Sequence, residues 1–254
     1  MKIRICGCSL ADSARRQYVS TYLINGTVAI DAGCLGFWGT PQDQESIKHV
    51  FLTHSHSDHI GSLPIFVENA WTPSLGCPRI YGSPATLNDL QNHIFNNKLW
   101  PDFIAISETM PPFLRVCPLE AEMPVQVDGL TITPIPVNHV VPTFGFLVSD
   151  GNSAAIFGAD SGPTERLWQI AHHTPKLRAV FLEACFPNSM TSLAEVSLHM
   201  TPEMFGREVR KMPSGIMVVA VHIKVRYREQ VVQELHDLQL PSLEIGECER
   251  EYCI

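Results

Sequence analysis

Nothing in this sequence of 254 residues is apolar for long enough to cross a bilayer. The first residues, Met1-Lys2-Ile3-Arg4-Ile5-Cys6-Gly7, have none of the apolar character of a secretory signal. Positive charge is scarce: 18 Lys and Arg stand against 26 Asp and Glu, for a net charge of −8. A large nucleic-acid footprint needs a basic face, so extended nucleic acid is not an expected partner. No C-x-x-C pair occurs. The eight cysteines (Cys6, Cys8, Cys34, Cys77, Cys117, Cys185, Cys248 and Cys253) are scattered, a distribution that fits a reducing compartment. The expected location is the cytoplasm, with no membrane partner. Repeats, low-complexity tracts and a linker are also missing, so the expectation is one domain over residues 1–254. With 45% hydrophobic and 17% charged residues, the chain has the make-up of an ordinary globular protein that can bury a full core.

The runs 2–6, 21–24 and 27–31 read as strands, the last two joined by Asn25-Gly26, a strong hairpin signal. A strand at 49–53, a helix at 60–70, a strand at 79–81 and a helix at 85–96 follow. The segment 97–119 contains Pro101, Pro111, Pro112 and Pro118 and reads as irregular. Together with its approach from residue 92, it is the expected cap over a site mouth. A second strand series then covers 125–127, 130–134, 143–149 and 154–157. Helices at 164–171, 202–212 and 227–238 alternate with strands at 179–182, 216–221 and 242–245, before a polar tail. Two similar halves of this kind imply an α/β protein, an αββα sandwich of two mixed β-sheets with outer helices.

The densest chemistry is Thr53-His54-Ser55-His56-Ser57-Asp58-His59, directly after the apolar run Val50-Phe51-Leu52. Alternation along an extended chain points His54 and His56 the same way. The turn that follows aims Asp58 and His59 at an adjoining position. Neutral imidazole with carboxylate suits zinc and similar divalent ions. Four such ligands are too many for one open catalytic ion, so they read as halves of two neighbouring sites, an arrangement suited to hydrolysis. Further candidates stand just past predicted strands: His139, Asp160 and His222.

With its complete H-x-H-x-D-H signature, the chain resembles the metallo-β-lactamase superfamily. The resemblance implies His54, His56 and His139 on one metal, Asp58, His59 and His222 on the other, and Asp160 bridging them. It also implies an activated water between the ions as nucleophile, with the site at one edge of the sandwich. Zinc is the first expectation for the two ions, and manganese or iron also accept this donor set.

Finer likenesses point to the class II cyclic-nucleotide phosphodiesterase branch. The stretch from His54 to Pro64 looks like that family's signature, with Ser57 where Leu is usual. So do Asn92-His93-Ile94-Phe95-Asn96, Leu99-Trp100-Pro101-Asp102, Val140-Val141-Pro142-Thr143-Phe144-Gly145-Phe146, Asp160-Ser161-Gly162-Pro163-Thr164 and Phe186-Pro187-Asn188. More distantly, Glu183-Ala184-Cys185-Phe186, Leu198-His199-Met200-Thr201 and His222-Ile223 follow the order of ribonuclease Z motifs. These resemblances make His199 a general acid or phosphate clamp, oriented by Glu183, with Asp58 also in the catalytic set. The implied reaction is cleavage of the 3′-ester of a 3′,5′-cyclic nucleotide to a nucleoside 5′-monophosphate. The alternatives are a ribonuclease Z-like activity on RNA and a non-catalytic, metal-dependent nucleotide sensor. The expected partner is the small cyclic nucleotide, and the apolar cap segment suits a homodimer. Asp31 either buttresses the metal loop or ends a strand. Arg226 and Arg228 are candidates to reach a phosphate. His93 is a candidate to approach the base. His172 and His173 are expected at a helix end rather than among the ligands.

Overall fold

The structure is a computed structural model and describes residues 1–7, 17–72, 76–109 and 111–254. Its first sheet contains β1 (Lys2–Ile5), β2 (Tyr22–Ile24), β3 (Val28–Ile30), β4 (His49–Phe51), β5 (Arg79–Gly82) and β6 (Arg115–Pro118). Its second contains β7 (Val125–Val127), β8 (Leu130–Val137), β9 (Thr143–Ser149), β10 (Ala154–Phe157), β11 (Leu177–Glu183), β12 (Met217–Val221) and β13 (Leu243–Ile245). A last strand, β14 (Glu251–Cys253), returns to the first sheet beside β1. Each sheet has seven strands, ordered β14-β1-β2-β3-β4-β5-β6 and β13-β12-β11-β10-β9-β8-β7. Both are mixed. Antiparallel pairing from β1 to β3 gives way to parallel pairing from β3 to β6. The second sheet repeats the pattern, antiparallel from β7 to β10 and parallel from β10 to β13.

The β2–β3 hairpin turns at Asn25 and Gly26, with φ of 50° and 79°, the positive-φ pair that a two-residue turn requires. Between the sheets lies an aromatic-rich core. Phe51 stacks on Tyr81 with ring centroids 4.3 Å apart, and Phe157 on Phe181 at 4.9 Å. Helices cover the outer faces. Phe66 and Val67 of the helix Leu63–Ala70 pack on the first sheet. Leu167, Trp168, Phe205 and Leu235, from three later helices, pack on the second. This is the αββα sandwich expected from the element order. Among the described residues no helix is long and apolar enough to cross a membrane.

Three local differences from the sequence reading have clear causes. The helix expected over 60–70 is two pieces, Ser57–Ile60 and Leu63–Ala70. Pro64 has no N–H to continue a ladder and sits in the first turn of the second piece. The cap segment is not uniformly irregular: it includes the helix Phe103–Thr109 and, in 115–118, the edge strand β6. The polar tail forms β14, where Tyr252 alone turns inward between exposed Glu251 and Cys253. One buried residue in three gives too little alternation to signal a strand.

Candidate metal centre

The loop after β4 carries the histidine motif to one edge of the sandwich. Thr53 donates its backbone N–H to Asp31 Oδ1 at 2.8 Å, and its carbonyl accepts from Phe144 N at 3.0 Å. Ser55, between the two histidines, donates to Asp89 Oδ2 at 2.6 Å. The Asp58 carbonyl accepts from Ser20 N at 2.8 Å and the His59 carbonyl from Ala32 N at 2.7 Å. Gly33 lies under this loop, where an added Cβ would stand 2.2 Å from the Asp58 carbonyl oxygen. Only glycine permits that approach.

Two groups of side chains converge here. His54, His56, His139 and Asp160 bring one ligand-type atom each within 4.8 Å of one another, and Asp58, His59 and His222 do the same. Asp160 stands between the groups. Its Oδ2 lies 3.8 Å from His54 Nε2, while its Oδ1 lies 3.2 Å from His59 Nε2 and 3.5 Å from His222 Nε2. His139 Nε2 and His56 Nδ1 face each other at 3.4 Å.

Neighbouring groups fix which ring nitrogens are available. Asp31 Oδ2 accepts from His59 Nδ1 at 2.7 Å, leaving His59 Nε2 with its lone pair. Thr53 Oγ1 lies 3.0 and 2.9 Å from the two Asp31 oxygens, so its one proton goes to that carboxylate. Its oxygen then accepts from His54 Nδ1 at 2.9 Å and frees His54 Nε2. The Leu198 carbonyl accepts from His139 Nδ1 at 3.2 Å, with the same result. Asp31 therefore does both things the sequence allowed: it follows β3, and it orients histidines of both groups.

The residues fit a pair of cations. His54 Nε2, His59 Nε2 and Asp160 Oδ1 are buried without hydrogen-bond partners among the described residues. Such atoms are costly unless something binds them. Burial and the neighbouring His59 push His54 well below the usual histidine range. Burial holds His56 down and takes His139 to about 4, so these rings are neutral, the ligand form. Burial disfavours charge on His59 too, but Asp160 and Asp31 outweigh it and raise that ring well above the ordinary value. A metal ion would take the place of that proton. Burial pushes Asp58 and Asp160 up, yet their histidine neighbours, with Lys224 beside Asp58, hold both carboxyls well below the usual range.

Beside the two groups, Glu183 at the end of β11 accepts from His199 Nδ1 at 2.7 Å. The same carboxylate accepts from the backbone N–H groups of Ser161 at 2.8 Å and Met200 at 3.2 Å, which locks it in place. The His199 ring centroid is 5.0 Å from that of His139 and 5.7 Å from that of His222. Non-glycine residues in the left-handed region recur around the site: Asp31, Ala159, Leu198 and His222 have φ of 60°, 54°, 52° and 54°. Strain of this kind gathers where geometry is over-determined.

All seven sequence-nominated ligands, with Glu183 and His199, thus meet at one edge. Arg226 is exposed, and neither it nor Arg228 forms an ion pair among the described residues. His93 is exposed. His172 Nε2 and His173 Nδ1 bond to the Lys211 and Gln169 carbonyls, at a helix end as expected. The sequence reading passed over Lys224, whose Nζ lies 3.3 Å from Asp58 Oδ2. Its signal was the spacing His222-x-Lys224, which places it nearer the site than the arginines that follow. Cys185, fully buried two residues after Glu183, belongs to the Glu183–Phe186 stretch that resembles ribonuclease Z, and the sequence assigns its thiol no role.

A histidine- and aspartate-lined edge of an αββα sandwich has the donor set of a divalent-metal site. The chain belongs to the β-lactamase superfamily: the family described as Beta-lactamase superfamily domain matches residues 29–223. It is similar to a probable 3′,5′-cyclic-nucleotide phosphodiesterase of Yersinia pestis, 25% identical over 229 residues, which cover 80% of this chain and 64% of that protein. It is also similar to a 3′,5′-cyclic-nucleotide phosphodiesterase of Aliivibrio fischeri, 27% identical over 184 residues, 65% of this chain and 53% of that one. The chain therefore spans less than two thirds of the length of either relative. Unliganded yeast PDE1 shares the fold, with a TM-score of 0.78 at 17% identity over 98% of both chains.

Proposed function

We propose that this hydrolase cleaves the 3′-ester bond of 3′,5′-cyclic nucleotides, giving nucleoside 5′-monophosphates. The observation that carries the reading is the Glu183–His199 pair, set beside the two ligand groups and belonging to neither. His54, His56 and His139 would hold one divalent ion, Asp58, His59 and His222 a second, and Asp160 both. Zinc best suits the donors, with manganese or iron also accepted. When bound, such ions supply Lewis acidity to the phosphoryl oxygens and lower the pKa of the attacking water.

The chain's own residues supply the rest. Glu183 occupies Nδ1 of His199 and leaves Nε2–H as the donor for the departing 3′ oxygen, an alkoxide that leaves poorly unprotonated. Asp58 is fixed by His222 and Lys224, and the ammonium of Lys224 would meet a phosphoryl oxygen of the substrate. The relatives named as cyclic-nucleotide phosphodiesterases support the substrate class. So does the net charge of −8, which disfavours long RNA. The same reading treats 1–254 as one domain with a cap near 92–119 and places it in the cytoplasm. Leu99, 64% exposed in the cap, suits a homodimer contact.

The test is turnover of 3′,5′-cyclic AMP and of a tRNA precursor by metal-loaded protein. Release of 5′-AMP is expected. Cleavage of the RNA with the cyclic nucleotide untouched, or binding of the nucleotide without turnover, would overturn the proposal.

A further inference from the structure

We infer that Glu183, Cys185, His199 and His222 form a third, inhibitory zinc position that switches the hydrolase off by capturing His199. The inference rests on the function proposed above and adds regulation of the same site.

One ligand atom from each of these four residues lies within 4.8 Å of the other three. All four are buried, Glu183 and Cys185 completely and His222 and His199 at 7% and 8% exposure. The group differs in kind from the two at the histidine motif. Those offer only nitrogen and oxygen, whereas this one adds a sulfur. One thiolate, two imidazoles and one carboxylate make a four-ligand set that zinc accepts. No step of the hydrolysis uses Cys185, so the reaction does not explain a thiol at this point.

The group is also preformed. Cys185 N bonds to the Met200 carbonyl at 2.9 Å and Lys224 N to the Cys185 carbonyl at 3.2 Å, tying together the three segments that carry the ligands. Glu183 is held by Ser161 and Met200. His222 belongs to two groups at once. Its Nε2 faces Asp58 and Asp160, while its Nδ1 is buried with no hydrogen-bond partner among the described residues. The ring therefore keeps a second nitrogen for an ion on its other edge.

Binding has a defined proton balance. The Cys185 thiol proton, the His199 Nδ1 proton and the His222 Nδ1 proton pass to solvent, zinc takes their places, and His222 becomes an imidazolate shared by two ions. An ion at His199 Nδ1, in place of the proton shared with Glu183, turns the imidazolium into a neutral metal-bound imidazole, whose remaining Nε2–H is too weak an acid for the departing 3′ oxygen. The displaced protons and the broken Glu183–His199 hydrogen bond make this position weaker than the first two, so it fills only at higher free zinc.

Cobalt(II) is the probe, because a cobalt–thiolate bond absorbs in the near ultraviolet and nitrogen–oxygen sites do not. In the wild type, the first two equivalents should bring activity without that band. The third should bring the band and a parallel loss of activity. Cys185→Ser and Cys185→Ala should lack the band and remain active. Their half-inhibiting zinc concentration should rise at least about tenfold, the lower end of what losing a supporting partner costs a metal site. Crystals of the wild type in excess zinc should show an anomalous peak among the four side chains, a readout independent of whether the variants fold. A third equivalent that inhibits without the band, variants inhibited at wild-type zinc, or no such peak would each overturn the inference. Failure of the functional proposal looks different: the first two equivalents would then bring no activity on cyclic nucleotide.

Discussion

Glu183 Oε1 and His199 Nδ1 meet at 2.7 Å, one from the end of β11 and the other from the turn after the helix Thr191–Ser197. The pair lies against the ligand groups without belonging to the two built around Asp160. This separation makes metal binding and proton delivery distinguishable. His199→Ala is expected to keep two metal ions and lose turnover by roughly 10²–10⁴-fold, the usual worth of general acid catalysis. Asp160→Ala should lose metal and activity together. Metal analysis beside steady-state kinetics checks both, and a metal-free His199→Ala protein would refute the assignment.

On the proposed mechanism, the charge of Glu183 would set the pH at which His199 works. Burial disfavours the imidazolium, but the hydrogen bond and charge of Glu183 outweigh it and raise the ring above its ordinary 6.5. A general acid must be protonated, so activity should persist below the raised value and fall as pH climbs through it. Glu183→Gln keeps the shape and removes the charge. The basic limb of kcat/KM against pH should then move to lower pH. An unmoved limb would show that another group controls it.

Asp31 touches His59 directly and reaches His54 through the Thr53 hydroxyl. Asp31→Asn should therefore weaken metal binding at both positions, by about 10–100-fold each. Competition with a chelator measures this. Loss confined to one ion would mean that Thr53 does not relay the effect.

Lys224 lies 3.3 Å from Asp58 Oδ2 and is half-buried. If its ammonium grips a phosphoryl oxygen, Lys224→Met should raise KM by roughly 10–100-fold, the worth of a charged hydrogen bond. Lys224→Arg should recover part of the loss, with metal content unchanged in both. A fall in metal content with unaltered KM would instead make Lys224 a mere support for Asp58.

The gathering of the seven nominated side chains was legible because four crowd into Thr53–His59 and the others follow predicted strands, where a mixed sheet brings strand ends to one edge. The alternating halves of the sandwich were legible for the same reason. Lys224 was legible only as a lysine two residues past His222, a spacing that says nothing of its contact with Asp58. The hydroxyl relay through Thr53 was also hidden, since a threonine before a histidine says nothing of the carboxylate 22 residues earlier. Strand β14 escaped because its partner β1 is at the other end of the chain.

The four left-handed backbone units at Asp31, Ala159, Leu198 and His222 set durability against turnover. Glycine at Ala159 or Leu198 would relieve a torsional cost of roughly 1–2 kcal/mol and harden the fold against heat. It would also let the adjoining Asp160 or His199 sample headings useless for hydrolysis. A thermally toughened descendant, selected with no screen for catalysis, would be drawn toward changes at these positions and would decline as a catalyst while it gained in endurance.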